Sequence, residues 1–120
     1  MLSETIHPSL PDHITDEERD ILRDVKRALM KLPGGERFRL VLFGSKARGD
    51  FDASSDLDVA VIVDNLNRQM KNAIFDAVGN VELQYLKPVS VLVLSSDEFV
   101  RLQNRERRIA LDILTEGVPL

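Results

Sequence analysis

Glycine and serine at 44–45, followed after ten intervening residues by aspartates at 56 and 58, have the types and spacing to act on a phosphate ester. Gly44-Ser45 leaves an apolar run and enters the turn Lys46-Ala47-Arg48-Gly49-Asp50. Glycine lets a backbone approach an oxyanion closely, and backbone N–H groups with a serine hydroxyl can then face a phosphate. Asp56 and Asp58 stand at i and i+2 around the start of a second apolar run. In a strand that spacing puts both carboxylates on one face, about 7 Å apart at Cα, with Leu57 and Val59 facing the other way. Two oxygen donors so placed suit Mg²⁺, which takes one or two carboxylates and completes its shell with substrate phosphates and water. A lone Asp-x-Asp or a lone Gly-Ser is ordinarily just a turn. Together they point to a metal, because aspartate is depleted in strands and two on one face repel unless a cation joins them.

Other motifs in the same stretch fail on their chemistry. Asp50-x-Asp52-x-Ser54 imitates the start of an EF-hand loop, but Ser55 stands where the glycine is needed and Val61 where the bidentate glutamate is needed. Arg48-Gly49-Asp50 matches an adhesion tripeptide, which carries little weight in a chain without a secretion signal. No Gly-x₄-Gly-Lys-Ser/Thr loop is present, and no Gly-x-Gly-x-x-Gly follows a strand.

The elements that must position these residues are legible as periodicity. Residues 1–14 hold both histidines and two of the five prolines, and are expected to form an N-terminal arm. Thr15 and Glu18 form a capping box ahead of Ile21, Leu22, Val25, Ala28, Leu29 and Leu32, which predicts a helix over 16–32 stopped by Pro33-Gly34-Gly35. Strands are predicted at 38–43, 57–63 and 89–94, all nearly continuous in apolar residues, as in a sheet covered on both faces. A helical stripe from Leu66 to Val81 joins the second and third strands, with Gly79 weakening its end. Ser95 and Glu98 form a second capping box, opening a last helical stripe that the polar run 103–108 interrupts and that Gly117 and Pro119 close. The expectation is one α/β (in some schemes α+β) domain over 15–120, a small mixed sheet with flanking helices.

Composition removes several alternatives. At 120 residues the chain can feed one core. A formal charge of −4 offers no surface for neutralising nucleic-acid phosphates, so direct nucleic-acid binding is not expected. The arginines at 101, 105, 107 and 108 could touch RNA or an acidic partner, but a solvated helix face is the commoner use, and no aromatics interleave with them. With no cysteine there is no thiolate metal site or thiol nucleophile, and two histidines, His7 and His13, are a poor basis for an imidazole centre. No apolar run is long enough to span a membrane and the first residues do not resemble a signal peptide, so a cytoplasmic location is expected.

Gly44-Ser45, ten residues and Asp56-Leu57-Asp58-Val59, within the longer string Gly-Ser-Lys-Ala-Arg-Gly-Asp, resembles the signature of the minimal nucleotidyltransferases of the DNA polymerase β-like superfamily. The resemblance covers about 38–94, and the closing Glu116-Gly117-Val118-Pro119-Leu120 is similar as well. It implies the nucleotidyltransferase fold and transfer of a nucleoside monophosphate, AMP in the first instance, from ATP or another NTP to an acceptor hydroxyl. Gly44, Ser45 and Arg48 would bind the nucleotide. Asp56 and Asp58 would be the catalytic carboxylates holding one or two Mg²⁺ ions. It also implies an antitoxin role beside a HEPN-domain ribonuclease as protein partner, with a homo-oligomer an open alternative.

One position departs from that pattern. Active members usually carry a third carboxylate on the third strand, as base and second-metal ligand, and alignment puts Ser90 there. Glu82 or Asp97 could substitute only if the fold brought either one round. Two functions therefore stand: a working transferase, favoured by the intact Gly-Ser and Asp-x-Asp, and a catalytically degenerate module acting by binding, favoured by Ser90.

Overall fold

A computed structural model describes residues 10–49 and 56–120 of the chain. Residues 1–9 and 50–55, which include His7 and most of the loop before Asp56, lie outside the described residues.

Helix α1 (Asp16–Met30) starts where the capping box predicts it: the Thr15 side chain accepts from the Glu18 N–H at 3.1 Å, and the Glu18 carboxylate accepts from the Thr15 N–H at 3.0 Å. Its buried face is Ile21, Leu22, Val25 and Leu29. It ends two residues before the expected limit. Gly34 turns the chain left-handed, and Gly35 lies so close to the Leu29 carbonyl that any Cβ there would overlap it. A 3₁₀ turn at Gly35–Arg37 leads into β1 (Arg39–Phe43). Then follow a single helical turn α2 (Ser45–Arg48), β2 (Leu57–Val63), α3 (Arg68–Tyr85) and β3 (Val89–Ser95). The chain closes with α4 (Ser96–Asn104), α5 (Arg108–Glu116) and β4 (Val118–Pro119).

The strands form one sheet in the order β3-β2-β1-β4, with β2 and β3 parallel and the other pairs antiparallel. The β2-α3-β3 unit is the parallel crossover that an apolar strand, a helix and an apolar strand in succession call for. Period-2 alternation splits each strand between two cores. Leu40, Leu42, Val59, Val61, Val63 and Val93 face α1 and α3. Ala60, Ile62 and Leu94 face α4 and α5, against Phe99, Ala110 and Ile113. Both faces of the sheet are thus covered by helices, an α+β arrangement built on a mixed sheet.

Beyond the early end of α1, the structure departs from the sequence expectation in three places. Helix α3 runs through Gly79 to Tyr85, because Val78 and Val81 anchor that turn in the core while Gly79 faces open space. It stops at Leu86, whose φ of 54° is left-handed, just ahead of Pro88. The last stripe is two helices. Glu106 turns left-handed between them, so that α4 and α5 pack side by side. Gly117 does not close α5 with a left-handed cap: its backbone is extended and opens β4, where Val118 pairs with Leu42 and Pro119 with Val41. A proline is tolerated there because β4 is an edge strand.

Residues 10–14 pack onto the domain. Leu10 and Ile14 are buried in the α1/α3 core, and Arg19 donates to the Pro11 carbonyl at 3.3 Å. The arginines at 101, 105, 107 and 108 are all exposed. No helix among the described residues is long and apolar enough to cross a membrane.

Candidate active site

The sheet register brings the two halves of the sequence pattern together. Phe43, the last residue of β1, is the antiparallel partner of Asp58 at the start of β2, so the Gly44-Ser45 turn leaves the sheet beside the aspartates. Gly44 has φ 77° and ψ −159°, a combination essentially confined to glycine. A Cβ there would come within 2.5 Å of Asp58 Oδ2. The turn and the carboxylate therefore share a space that only a missing side chain leaves open.

The single turn α2 is held from both ends. Ala47 and Arg48 donate to the Gly44 carbonyl at 3.1 Å, and Gly49 donates to Ser45 at 2.8 Å, which leaves Ser45 at the mouth of the turn. Lys46 points the other way and is buried, its Nζ 2.6 Å from Glu18 Oε2 at the start of α1. Burial pushes the Glu18 carboxyl up, but the Lys46 ammonium and the Thr15 cap outweigh it and hold the group below its ordinary value. His13 donates its Nε2–H to the Lys46 carbonyl. Neither Lys46 nor Glu18 was assigned to the site from sequence. The capping box accounted for Glu18 fully, and only the packing of α1 against α2 gives its second oxygen a partner.

Asp58 is half-buried and Asp56, one residue before β2, is exposed. Burial raises the Asp58 carboxyl above its usual range, the negative charge of Asp56 raises it further, and Arg48 partly offsets both. The two carboxylates and the guanidinium thus sit within each other's field. Arg48 also reaches Glu116, Nε to Oε2 at 3.7 Å, because β4 brings the end of α5 alongside β1. Glu116 is a carboxylate beside the site that no local pattern picks out.

Ser90 is the Cα partner of Asp58 on β3 and, by strand parity, shares its face. The position expected to carry a third carboxylate is therefore beside Asp58 and holds an exposed hydroxyl. Neither substitute reaches it. Glu82 accepts the Val89 N–H at 2.9 Å, joining the end of α3 to the start of β3. Asp97 follows the opposite end of β3, where Ser95 pairs with Val63, about 16 Å along the sheet from Asp58.

The donor chemistry suits a hard divalent cation. Both aspartates offer only oxygen, their mutual repulsion favours a positive ion between them, and the Gly44 space keeps one carboxylate oxygen of Asp58 uncovered by a side chain. Among the described residues no group of three or more His, Cys, Asp or Glu gathers to hold a metal, so a cation here would draw its remaining ligands from substrate and water. Gly44, Ser45, Arg48, Asp56 and Asp58 are together at one end of the sheet.

A family model described as a nucleotidyltransferase domain matches residues 22–115. A Methanocaldococcus jannaschii protein, provisionally named protein adenylyltransferase MJ0141, is 31% identical over 67 residues, covering 55% of this chain and 68% of that protein. A crystal structure from Sulfolobus solfataricus, described provisionally as a nucleotidyltransferase, overlays with a TM-score of 0.44 at 19% identity, over 83% of this chain and 72% of the other.

Proposed function

Because the chain belongs to the nucleotidyltransferase domain family, we propose that it transfers a nucleoside monophosphate from an NTP to an acceptor hydroxyl at the Gly44–Asp58 site. The observation that carries this is the Gly44 contact: the phosphate turn and the metal-type carboxylate are packed with no side chain between them. Ser45 at the mouth of α2 and the Arg48 guanidinium bind triphosphate oxygens, and Glu116 holds Arg48 at the rim. Asp56 and Asp58 would hold a Mg²⁺ ion, which when bound would supply neutralisation of the charge on the phosphoryl oxygens. The acceptor oxygen forms a bond to Pα, the Pα–O bond to the β-phosphate breaks, and pyrophosphate leaves. The acceptor proton passes to solvent, since Ser90 is neutral and cannot take it at pH 7.

Adenylyl transfer to a protein hydroxyl is the specific form we favour, supported by the name of the archaeal relative. A HEPN-domain ribonuclease in the cytoplasm is the acceptor that the sequence resemblance suggests. Incubation with labelled ATP, Mg²⁺ and such a partner tests this. Metal-dependent label on the partner, lost in Asp56→Asn/Asp58→Asn, is the expected result. The second reading, a module that binds nucleotide and partner without turnover, is favoured by Ser90 standing opposite Asp58. It predicts Mg²⁺-dependent ATP binding with no label transferred.

A further inference from the structure

The Gly44-Ser45 turn is carried on α2, and α2 is too short to hold itself. A single helical turn fixes several residues for very few hydrogen bonds, so a helix of that length does not persist alone in water. Whatever keeps the Gly44-Ser45 backbone in place must come from outside α2. Two holds act through side chains: Lys46 pairs with Glu18 of α1, and Ala47 packs against the α1/α3 core.

A third contact takes hold of the backbone. The last carbonyls of a helix run out of N–H partners within it, and the Lys46 carbonyl is one of these. His13, 33 residues earlier in the chain, donates its Nε2–H to that oxygen. The same ring lies against Gly49, the left-handed residue that ends α2: a Cβ there would stand 3.3 Å from His13 Cε1 and 3.5 Å from Nδ1. His13 thus meets both the end carbonyl and the exit residue of the turn. It is itself fixed from both sides. Leu10 and Ile14 are buried in the α1/α3 core, and the Pro11 carbonyl accepts from the Ile14 N–H at 3.2 Å and from Arg19 of α1 at 3.3 Å.

We propose that His13 is a positioning residue for phosphate binding. Residues 10–14 act as a strap, and through the Lys46 carbonyl and Gly49 the imidazole fixes the exit of α2. The entry follows, because the Gly44 carbonyl accepts from both Ala47 and Arg48 and Ser45 accepts from Gly49, which ties the two ends of the turn together. The role rests on the proposed function in taking this turn as the phosphate holder; the hold on α2 does not depend on that reading. The imidazole moves no proton of the reaction, since its donor nitrogen is committed to backbone.

Two substitutions in the whole chain test this. His13→Ala removes the ring and its N–H, whereas His13→Gln keeps a side-chain N–H donor of similar reach. Amide hydrogen exchange reads the hold directly, at the Arg48 and Gly49 N–H groups that donate within α2. A net hydrogen bond is worth about tenfold in an equilibrium, so His13→Ala should speed exchange at both amides by about that factor. Amides of the β2 ladder should exchange as before, which shows that the domain remains folded. Mg²⁺-dependent ATP affinity, measured by titration calorimetry, should fall about tenfold in parallel. His13→Gln should recover most of both. Exchange at Arg48 and Gly49 that His13→Ala leaves unchanged would overturn the inference. So would a loss that His13→Gln fails to recover, or an ATP affinity indifferent to the faster exchange. A wild type that binds no ATP would remove the proposed function instead, and the exchange rates would still decide whether His13 holds the turn.

Discussion

Replacing Gly44 by alanine adds one methyl group at the place where the phosphate turn meets the carboxylate. Two separable costs follow. The backbone at φ 77° and ψ −159° is one that a residue with a Cβ occupies at about 1–3 kcal/mol. The new Cβ would also stand 2.5 Å from Asp58 Oδ2, so the carboxylate must retreat by about 1 Å to reach ordinary van der Waals separation. A displacement of that size at a reacting centre typically costs on the order of 100-fold in rate. Gly44→Ala should therefore lose about 1–3 kcal/mol in urea unfolding while remaining folded by circular dichroism. Its Mg²⁺-dependent ATP affinity, measured by titration calorimetry, should fall by at least tenfold. A stability change below about 0.5 kcal/mol, the range of an ordinary surface substitution, together with unchanged ATP affinity, would refute the reasoning. The Gly44–Asp58 contact would then be neither strained nor part of a nucleotide site.

Asp56→Asn with Asp58→Asn should abolish Mg²⁺-dependent ATP binding in calorimetry without loss of folding. Asp58 has a raised pKa, so its contribution favours the folded state only below the unfolded value and is lost as pH rises through the folded one, and neutralising it costs nothing at pH 7. Undiminished affinity in that double variant would remove both residues from the site. Ser90→Asp should speed single-turnover transfer of label from ATP, recovering part of the factor of about 10²–10⁴ that a general base supplies; a fast wild type that Ser90→Asp slows would mean another group already serves. Glu18 has a lowered pKa, so its stabilisation is fully present above 4.5 and lost as pH falls through the folded value. Glu18→Gln removes the charged partner 2.6 Å from the Lys46 ammonium and should cost about 1–3 kcal/mol at pH 7 in urea melts, a penalty that shrinks in acid. A pH-independent difference would show that the pair is not what anchors α2.

Much of this protein was open to reading from local chemistry. A capping box states where a helix starts through groups three residues apart, and both boxes, at Thr15 and Ser95, form as expected. Apolar runs bounded by turn residues located β1, β2 and β3, and the family resemblance aligned Ser90 with the third-carboxylate position, which the sheet register sets beside Asp58. Asp56-x-Asp58 stood out in the sequence because aspartate is depleted in strands and two on one face repel, and Gly44-Ser45 gained meaning only from standing ten residues ahead of that pair.

Only the tertiary structure decided the rest, because it depends on neighbours far along the chain. β4 is two residues long and has no periodicity to detect; its pairing with β1 creates it, draws Gly117 out of a helix cap and carries Glu116 to Arg48. Lys46 in isolation is an ordinary surface lysine. It is buried because α2 packs on the start of α1, and it is tolerated there because Glu18 has a spare carboxylate oxygen. Gly79 alone predicts a weakened helix end, but Val78 and Val81, held in the core, carry α3 past it to Tyr85. The contact between Gly44 and Asp58 likewise exists only through the pairing of Phe43 with Asp58, since residues fourteen apart in sequence become neighbours when two strands run antiparallel.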